Sequence, residues 1–366
     1  MSGTPTGPDE IVALLRGGRH VTTGAHVVLP TSGSTGKARH VRLPVEALRA
    51  SGEATAARLG GHGRWVLALP TTHVAGLQVI ARCAIAGTTP VVVDLAEGFR
   101  PDAFAAACAS LSGRRTYTSL VPTQLHRLLD DAATGTGAGL AAAGRLDAVL
   151  VGGAAASSAL LDAARAAGVR VVTTYGMTET AGGCVYDGVP LDGVDVRVRD
   201  GRVEIAGPVL ADGYVDDPVA TAAAFVVDDG TRWLRTQDLG EVTVTDGRPH
   251  LRVLGRADDV VVTGGVNVAP AAVERLLGGW GGLAEVCVVG LPSERWGAEV
   301  AAVATLSPGA TAPLLTDLRD HVTTHLGRPA APRELVVVPA LPLRGPGKVD
   351  RRAAADLAAA RLGPRH

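Results

Sequence analysis

The chain has 366 residues, 46% of them hydrophobic with a mean hydropathy of +0.22, enough to bury the cores of two or three domains. Its 35 basic and 36 acidic residues leave a net charge of −1, with neither a basic stripe nor an acidic tail, which argues against nucleic acid as the main partner. Aromatic residues make up only 3%, so the core must be built from Ala, Val and Leu, in closely packed helices on Val-rich strands.

Residues 1–10 are polar and lack the basic-then-apolar pattern of a signal peptide. The longest apolar stretch, 148–161, is too short to span a membrane, so a soluble cytoplasmic protein is expected. The four cysteines, Cys83, Cys108, Cys184 and Cys287, show no CxxC spacing, which points to buried free thiols rather than a zinc site or a disulfide framework.

The first expected strand is 27–29. It runs into Thr31-Ser32-Gly33-Ser34-Thr35-Gly36-Lys37, whose backbone N–H groups and hydroxyls could surround a polyphosphate. This is not a Walker A loop, because position 31 is Thr and Ala38 stands where Ser or Thr would hold magnesium. Nor is Ser34 in a Gly-x-Ser-x-Gly elbow, since position 32 is Ser. A plain solvated loop is the alternative. Lys37 and Lys348 are the chain's only lysines, and both follow glycines, at Gly36-Lys37 and Gly345-Pro346-Gly347-Lys348. A compact ammonium on a mobile stem does work against phosphate or carboxylate oxygens that the wide arginine fork does less well.

Helical patterns at 45–58, 101–111 and 155–167 alternate with Val-rich strands at 65–69, 90–93, 148–151 and 169–172. That alternation indicates a doubly wound, largely parallel sheet covered on both faces. His73 follows the second strand in Leu69-Pro70-Thr71-Thr72-His73-Val74-Ala75-Gly76, where a satisfied loop histidine is the default. Residues 132–144 are Gly/Ala-rich and read as a flexible loop, and their Gly135-x-Gly137-x-Gly139 lacks the preceding strand of a dinucleotide fingerprint.

Tyr175-Gly176-Met177-Thr178-Glu179-Thr180 comes straight after the strand at 169–172, where an open α/β sheet places ligands. One carboxylate amid hydroxyls suits magnesium bridging phosphates, although Thr178 could equally be a helix N-cap with Glu179 complementing the dipole. From 190 to 254 five Asp-Gly pairs punctuate short strands, which predicts antiparallel hairpins in a small sheet or barrel. Within that stretch Asp238, and just beyond it Arg256, suit ribose hydroxyls, or are a turn residue and an ordinary ion pair. After Gly255-Arg256-Ala257-Asp258-Asp259 mixed α and β segments return, giving a C-terminal unit of normal domain size.

The order of these pieces is more specific than any one of them. The 31–37 loop, Leu69-Pro70 with His73, Gly152-Gly153-Ala154, Tyr175 to Glu179, Asp238-Leu239-Gly240, Gly255 to Asp259 and Gly347-Lys348 together resemble the motif series of the ANL adenylate-forming superfamily, over almost the whole chain. The resemblance implies a large N-terminal adenylation domain at 1–255, with an antiparallel subdomain at 190–254. It also implies a hinge at 256–259 and a small, mobile α+β C-terminal domain at 260–366. The chain is shorter than the usual member, so part of the first N-terminal subdomain is expected to be missing. Gln237 stands where Gly is usual, and Arg344-Gly345-Pro346 replaces a Thr-containing run.

Within the superfamily, Ser119-Leu120-Val121-Pro122-Thr123-Gln124 and His73-Val74-Ala75-Gly76-Leu77-Gln78 running on to Arg82 resemble the enzymes that join o-succinylbenzoate to coenzyme A in menaquinone biosynthesis, in their compact actinobacterial form. The resemblance implies that Thr31, Ser32, Gly33, Ser34, Thr35, Gly36 and Lys37 hold the β- and γ-phosphates of ATP. Glu179 would hold Mg2+, and Thr178 the α-phosphate. Gly152, Gly153 and Ala154, with Tyr175 and Gly176, would bracket adenine, while Asp238 and Arg256 take the ribose. His73, Gly76, Gln78 and Arg82 would line the acid site, with Arg82 facing the carboxylate that does not react. Lys348 would serve adenylation, Asp258 the hinge, and Gly264 and Gly265 the coenzyme A tunnel. The alternatives are a ligase for another aryl, short or fatty acid, and a nucleotide-binding protein without catalysis. The expected partners are small molecules, without nucleic acid or membrane, and a homodimer is left open.

Overall fold

The structure, a computed structural model, describes residues 12–13, 15, 24–31, 39–113, 115–344 and 348–363. The chain divides into a larger unit, Met1–Gly153 with Ala164–Thr236 and Glu241–Arg252, and a smaller one, Val253–His366 with Ala154–Ala163 and Gln237–Gly240.

The larger unit opens with β1 (His26–Pro30) and β2 (His40–Pro44), an antiparallel pair in which Pro30 faces His40. Next comes α1 (Val45–Arg58), then β3 (Arg64–Leu67), α2 (Val74–Ile85), β4 (Val91–Val92), α3 (Pro101–Ala109), β5 (Thr116–Leu120), α4 (Pro122–Thr134), α5 (Ala138–Arg145), β6 (Ala148–Gly152), α6 (Ser158–Ala166) and β7 (Val171–Met177). Strands β3 to β7 are parallel in the order β4-β3-β5-β6-β7, and β8 (Gly182–Tyr186) and β9 (Val189–Pro190) extend the sheet antiparallel. Val66, Val149, Leu48 and Leu125 are fully buried, as strands covered on both faces require.

Two expectations are corrected here. Residues 132–144 are mostly helix: α4 continues to Thr134 and α5 starts at Ala138. Alanine carries the strongest helix propensity, and Gly139 is a packing contact, since a Cβ there would lie 2.9 Å from Pro101 O and 2.7 Å from Leu128. The second correction concerns Tyr175 and Gly176, which lie inside β7 rather than after it. Neither Thr178 nor Glu179 starts an α-helix, because Thr178–Thr180 is a single 3-10 turn before the chain reverses into β8.

The antiparallel subdomain is an open sheet of β10 (Asp195–Arg199), β11 (Arg202–Ala206), β13 (Phe225–Asp228), β14 (Thr231–Thr245) and β15 (Arg248–Arg256), ordered β10-β11-β14-β13 with β15 on β14. Asp200-Gly201, Asp229-Gly230 and Asp246-Gly247 have positive φ at both residues, the conformation that two-residue hairpins select. Asp212-Gly213 does something else. It enters β12 (Gly213–Tyr214), which pairs with β2, Tyr214 facing Val41. The short helix α7 (Pro218–Ala224) follows, capped by the Asp217 side chain.

In the smaller unit β16 (Val261–Thr263), β17 (Val266–Val268), β18 (Leu283–Ser293), β19 (Gly297–Leu306) and β20 (Glu334–Val337) form one sheet. Side chains alternate faces along the strands. Val288, Val300 and Ala302 pack on α8 (Pro270–Leu277) and α9 (Leu315–Leu326), while Cys287, Val289, Ala301 and Val303 pack on α10 (Arg351–Leu362). A short ladder, β21 (Leu343–Arg344) with β22 (Lys348–Val349), precedes α10. The break expected after Gly255 falls inside this unit, because β15 runs unbroken to Arg256. Among the described residues no helix is long and apolar enough to cross a membrane.

Candidate active site

The carboxyl ends of the parallel strands gather the motif residues of the larger unit. At the end of β3 the chain turns into α2, with His73 in extended conformation at the N-cap position. The His73 amide donates to Pro70 O at 3.2 Å and its carbonyl accepts from Leu77 N. Gly76 has a packing role: a Cβ would lie 2.2 Å from Pro70 O, so only glycine lets the first turn of α2 seat against that backbone. Two strands over from β3, beyond β5, Gly152 pairs in register with Thr174, which puts Gly152, Gly153 and Tyr175 side by side at the ends of β6 and β7. A Cβ on Gly152 would meet Thr174 Oγ1 at 2.1 Å, and Gly153 has φ +81°.

Beyond Met177 the 3-10 turn is pinned by Thr180, whose hydroxyl accepts from Met177 N at 2.9 Å and donates to Gly182 O at 2.8 Å. A Cβ on Gly176 would lie 2.0 Å from Gly182 O, so the turn needs glycine beneath it. This puts Glu179 on the turn at the β7 end, and Ala211 N donates to its carbonyl at 2.9 Å. The Glu179 side chain accepts a 2.9 Å hydrogen bond at Oε1 from the Tyr214 hydroxyl. Burial, reinforced by the neighbouring Glu179 charge, pushes the Tyr214 phenol well above its usual range, so it stays a donor. The Arg39 guanidinium lies 5.2 Å from the centre of the Tyr214 ring. Sequence reasoning missed both residues, because Asp212-Gly213-Tyr214 read only as a hairpin turn.

Among the described residues no three His, Cys, Asp or Glu side chains converge as a metal cage. A single carboxylate steadied by a phenol fits Mg2+, which typically takes one or two protein carboxylates and completes its octahedron with phosphate oxygens and water.

Further along α2, Gln78 and Arg82 are both buried. The Gln78 amide donates to Ala181 O at 2.7 Å and Leu48 O at 3.3 Å, tying α2 to α1 and to the turn that carries Glu179. Arg82 is 6% exposed and forms no ion pair with a carboxylate among the described residues. Its Nη2 donates to the Tyr186 hydroxyl at 3.1 Å, its guanidinium stacks 4.8 Å from the Trp65 ring centre, and its Nε has no hydrogen-bond partner among the described residues. It borders a small cavity shared with Gly52, Thr55, Trp65 and Tyr117.

In the smaller unit Asp238 and Arg256 approach to 3.6 Å, while Arg256 grips Asp258 through two hydrogen bonds of 2.8 Å. One guanidinium thus contacts both the expected ribose residue, Asp238, and the expected hinge residue, Asp258. Gly264 and Gly265, φ +55° and +80°, make the tight turn between β16 and β17, flanked by exposed Val262 and Val266. Lys348 begins β22, opposite Arg344. Three residues on, Arg351 anchors α10 through Glu274, Val288 O and Asp259. Thr31 donates its amide to Arg39 O at 2.7 Å and accepts Arg39 N at Oγ1, at the two ends of the segment where the phosphate loop is expected. The rest of that loop, Ser32, Gly33, Ser34, Thr35, Gly36 and Lys37, lies outside the described residues.

A large α/β unit with the Gly152-Gly153 and Tyr175–Glu179 motifs at its parallel-strand ends, followed by a small α+β unit, is the architecture of an adenylate-forming enzyme. The family model for AMP-binding enzyme matches residues 24–248 and that for the AMP-binding enzyme C-terminal domain matches 272–348, and the chain belongs to this family. It is 45% identical over 354 residues, 95% of this chain and 88% of the relative, to a protein of Mycobacterium tuberculosis H37Rv named "Probable 2-succinylbenzoate--CoA ligase". Among solved structures it resembles o-succinylbenzoate CoA synthetase (MenE) of Bacillus subtilis in complex with the acyl-adenylate intermediate OSB-AMP. The TM-score is 0.72 at 27% identity, over 89% of this chain and 68% of that one. ATP-bound MatB of Rhodopseudomonas palustris matches with a TM-score of 0.76 at 26% identity, over 90% and 67%.

Proposed function

We propose that the chain is an AMP-forming acid–CoA ligase that converts 2-succinylbenzoate to 2-succinylbenzoyl-CoA through an acyl-adenylate, in menaquinone biosynthesis. The names of its relatives support this reading, and one observation carries the choice of acid: Arg82, buried without a carboxylate partner among the described residues. A cation in that position disfavours a fatty-acid tail and complements the second carboxylate of a dicarboxylic acid, since an unpaired buried charge is costly until a counter-charge arrives.

A carboxylate is too poor an electrophile for a thiol, so the reaction needs two steps. The succinyl carboxylate attacks the α-phosphorus of ATP, forming the acyl–phosphate bond and releasing pyrophosphate. The coenzyme A thiolate then attacks the acyl carbon and AMP leaves. The 31–37 loop holds the β- and γ-phosphates, Gly152, Gly153, Ala154, Tyr175 and Gly176 the adenine, and Asp238 with Arg256 the ribose. Thr178 contacts the α-phosphate. Glu179 would hold Mg2+, which supplies charge neutralisation at the phosphates. Lys348 stabilises the charge that builds as acid and α-phosphate converge, a contribution that is usually the largest single catalytic one. Rotation of the smaller unit about Asp258 would then exchange Lys348 for the Gly264-Gly265 turn, so one lysine serves only the first step. A cytoplasmic setting, where ATP and coenzyme A are found, also suits four reduced thiols.

The test is a panel of acids with ATP, Mg2+ and coenzyme A, following AMP release and the mass of the thioester. Turnover of 2-succinylbenzoate well above benzoate and fatty acids is expected. Robust turnover of those acids with none of 2-succinylbenzoate would overturn the choice of acid, and no AMP release with any acid would overturn the ligase reading.

A further inference from the structure

Glu179 sits on a one-turn element, and the Tyr214 hydroxyl takes its Oε1 at 2.9 Å. Tyr214 reaches it from a different part of the chain. It belongs to β12, which is hydrogen-bonded to β2 with Tyr214 facing Val41, and its amide donates to Thr221 Oγ1 at 2.9 Å. The other face of its function is Arg39, whose guanidinium stands over the Tyr214 ring and lies 3.6 Å from Asp217. Arg39 also bonds Thr31 through its backbone, at the two ends of the segment where the phosphate loop is expected. One phenol therefore touches both the carboxylate and Arg39.

We infer that Tyr214 is a positioning residue for the metal–nucleotide site: its hydroxyl holds the Glu179 carboxylate that would bind Mg2+, while its ring packs under Arg39. The inference rests on the reading of Glu179 as the magnesium ligand. Outer partners that hydrogen-bond a metal-ligating carboxylate are commonly worth 10- to 100-fold in metal affinity.

The experiment measures ATP affinity by titration calorimetry, with EDTA and with Mg2+, in the wild type, Tyr214→Phe and Glu179→Gln. The gain in ATP affinity on adding Mg2+ should fall about tenfold or more in Tyr214→Phe, while metal-free ATP binds as in the wild type. Glu179→Gln should lose the gain. If Glu179→Gln loses it and Tyr214→Phe keeps it in full, the inference fails and the reading of Glu179 stands. If the wild type shows no gain, or Glu179→Gln retains it, the reading of Glu179 fails and takes the inference with it. A Tyr214→Phe protein that loses metal-free ATP binding as well marks Tyr214 as structural and also overturns the inference.

Discussion

Replacing Arg82 with Met keeps an unbranched apolar stem of similar length and removes only the guanidinium. In the free protein that removes a cation–π contact with Trp65, worth about 0.5–2 kcal/mol, and one hydrogen bond to Tyr186. The Tyr186 hydroxyl is not orphaned, because Thr55 Oγ1 remains 2.9 Å away. Against these losses, the change relieves a 6% exposed cation whose Nε has no hydrogen-bond partner among the described residues, a burial that alone costs on the order of 1–3 kcal/mol. The sum is near zero, so the melting temperature should move by no more than about 3 °C. With substrate bound the balance differs. A charge-assisted contact to a carboxylate contributes about 1.5–3 kcal/mol, so KM for 2-succinylbenzoate should rise roughly 10- to 100-fold, with KM for ATP and coenzyme A unchanged. Initial rates and thermal melting on the same preparation decide the matter. A protein destabilised by several kcal/mol with an unchanged KM would show that Arg82 serves the fold through Trp65 and Tyr186, and the acid would lose its main structural support.

Lys348→Ala should slow adenylation by about 10²- to 10³-fold while thioester formation from supplied acyl-adenylate persists, and equal damage to both steps would refute the division of labour. Asp258→Pro must be compared with Asp258→Ala, because either change releases the Arg256 fork. Only the proline also fixes φ, so acyl-adenylate should accumulate with the proline variant alone, and equal accumulation in both traces the effect to Arg256. Glu204 is fully buried, and although burial raises its pKa, Arg235 and Arg197 outweigh that and hold it below the usual carboxylate range. Its stabilising contribution is therefore present above about pH 4.3 and lost as pH falls through the lower folded value. Thermal melts of the Arg197→Met/Arg235→Met double variant at neutral pH should show a loss of about 3–5 kcal/mol, and a loss below 1 kcal/mol would contradict a buried uncompensated carboxylate. Burial pushes Cys108, Cys184 and Cys287 up to about 12, so iodoacetamide should label them only after unfolding, and fast labelling of the native protein would contradict that burial.

Local chemistry was legible in the chain. The helix at 45–58 was readable residue for residue, because apolar periodicity and a flanking Pro44 act within one turn. Three of the Asp-Gly pairs were equally plain, since the αL conformation at two successive residues is a backbone preference that needs no tertiary partner. Where sequence reasoning went astray, long-range packing had overridden a local signal. Gly139 looked like a loop residue and is a helix contact; Asp212-Gly213 looked like a hairpin and feeds a strand that joins β2.

The candidate site divides along the same line. Position after a strand grouped Tyr175 with Glu179, and the family resemblance grouped Gly152 with Gly153, because strand-to-turn motifs are contiguous. That Tyr214 holds Glu179 across 35 residues, that Arg82 is buried without a counter-ion among the described residues, and that Arg256 grips Asp258 while approaching Asp238 were decided only when the strands paired. Hydrogen bonds and ion pairs act over a few ångströms in space, whatever the separation along the chain, so the residues that do chemistry can be read from sequence while the residues that aim them are set by the fold.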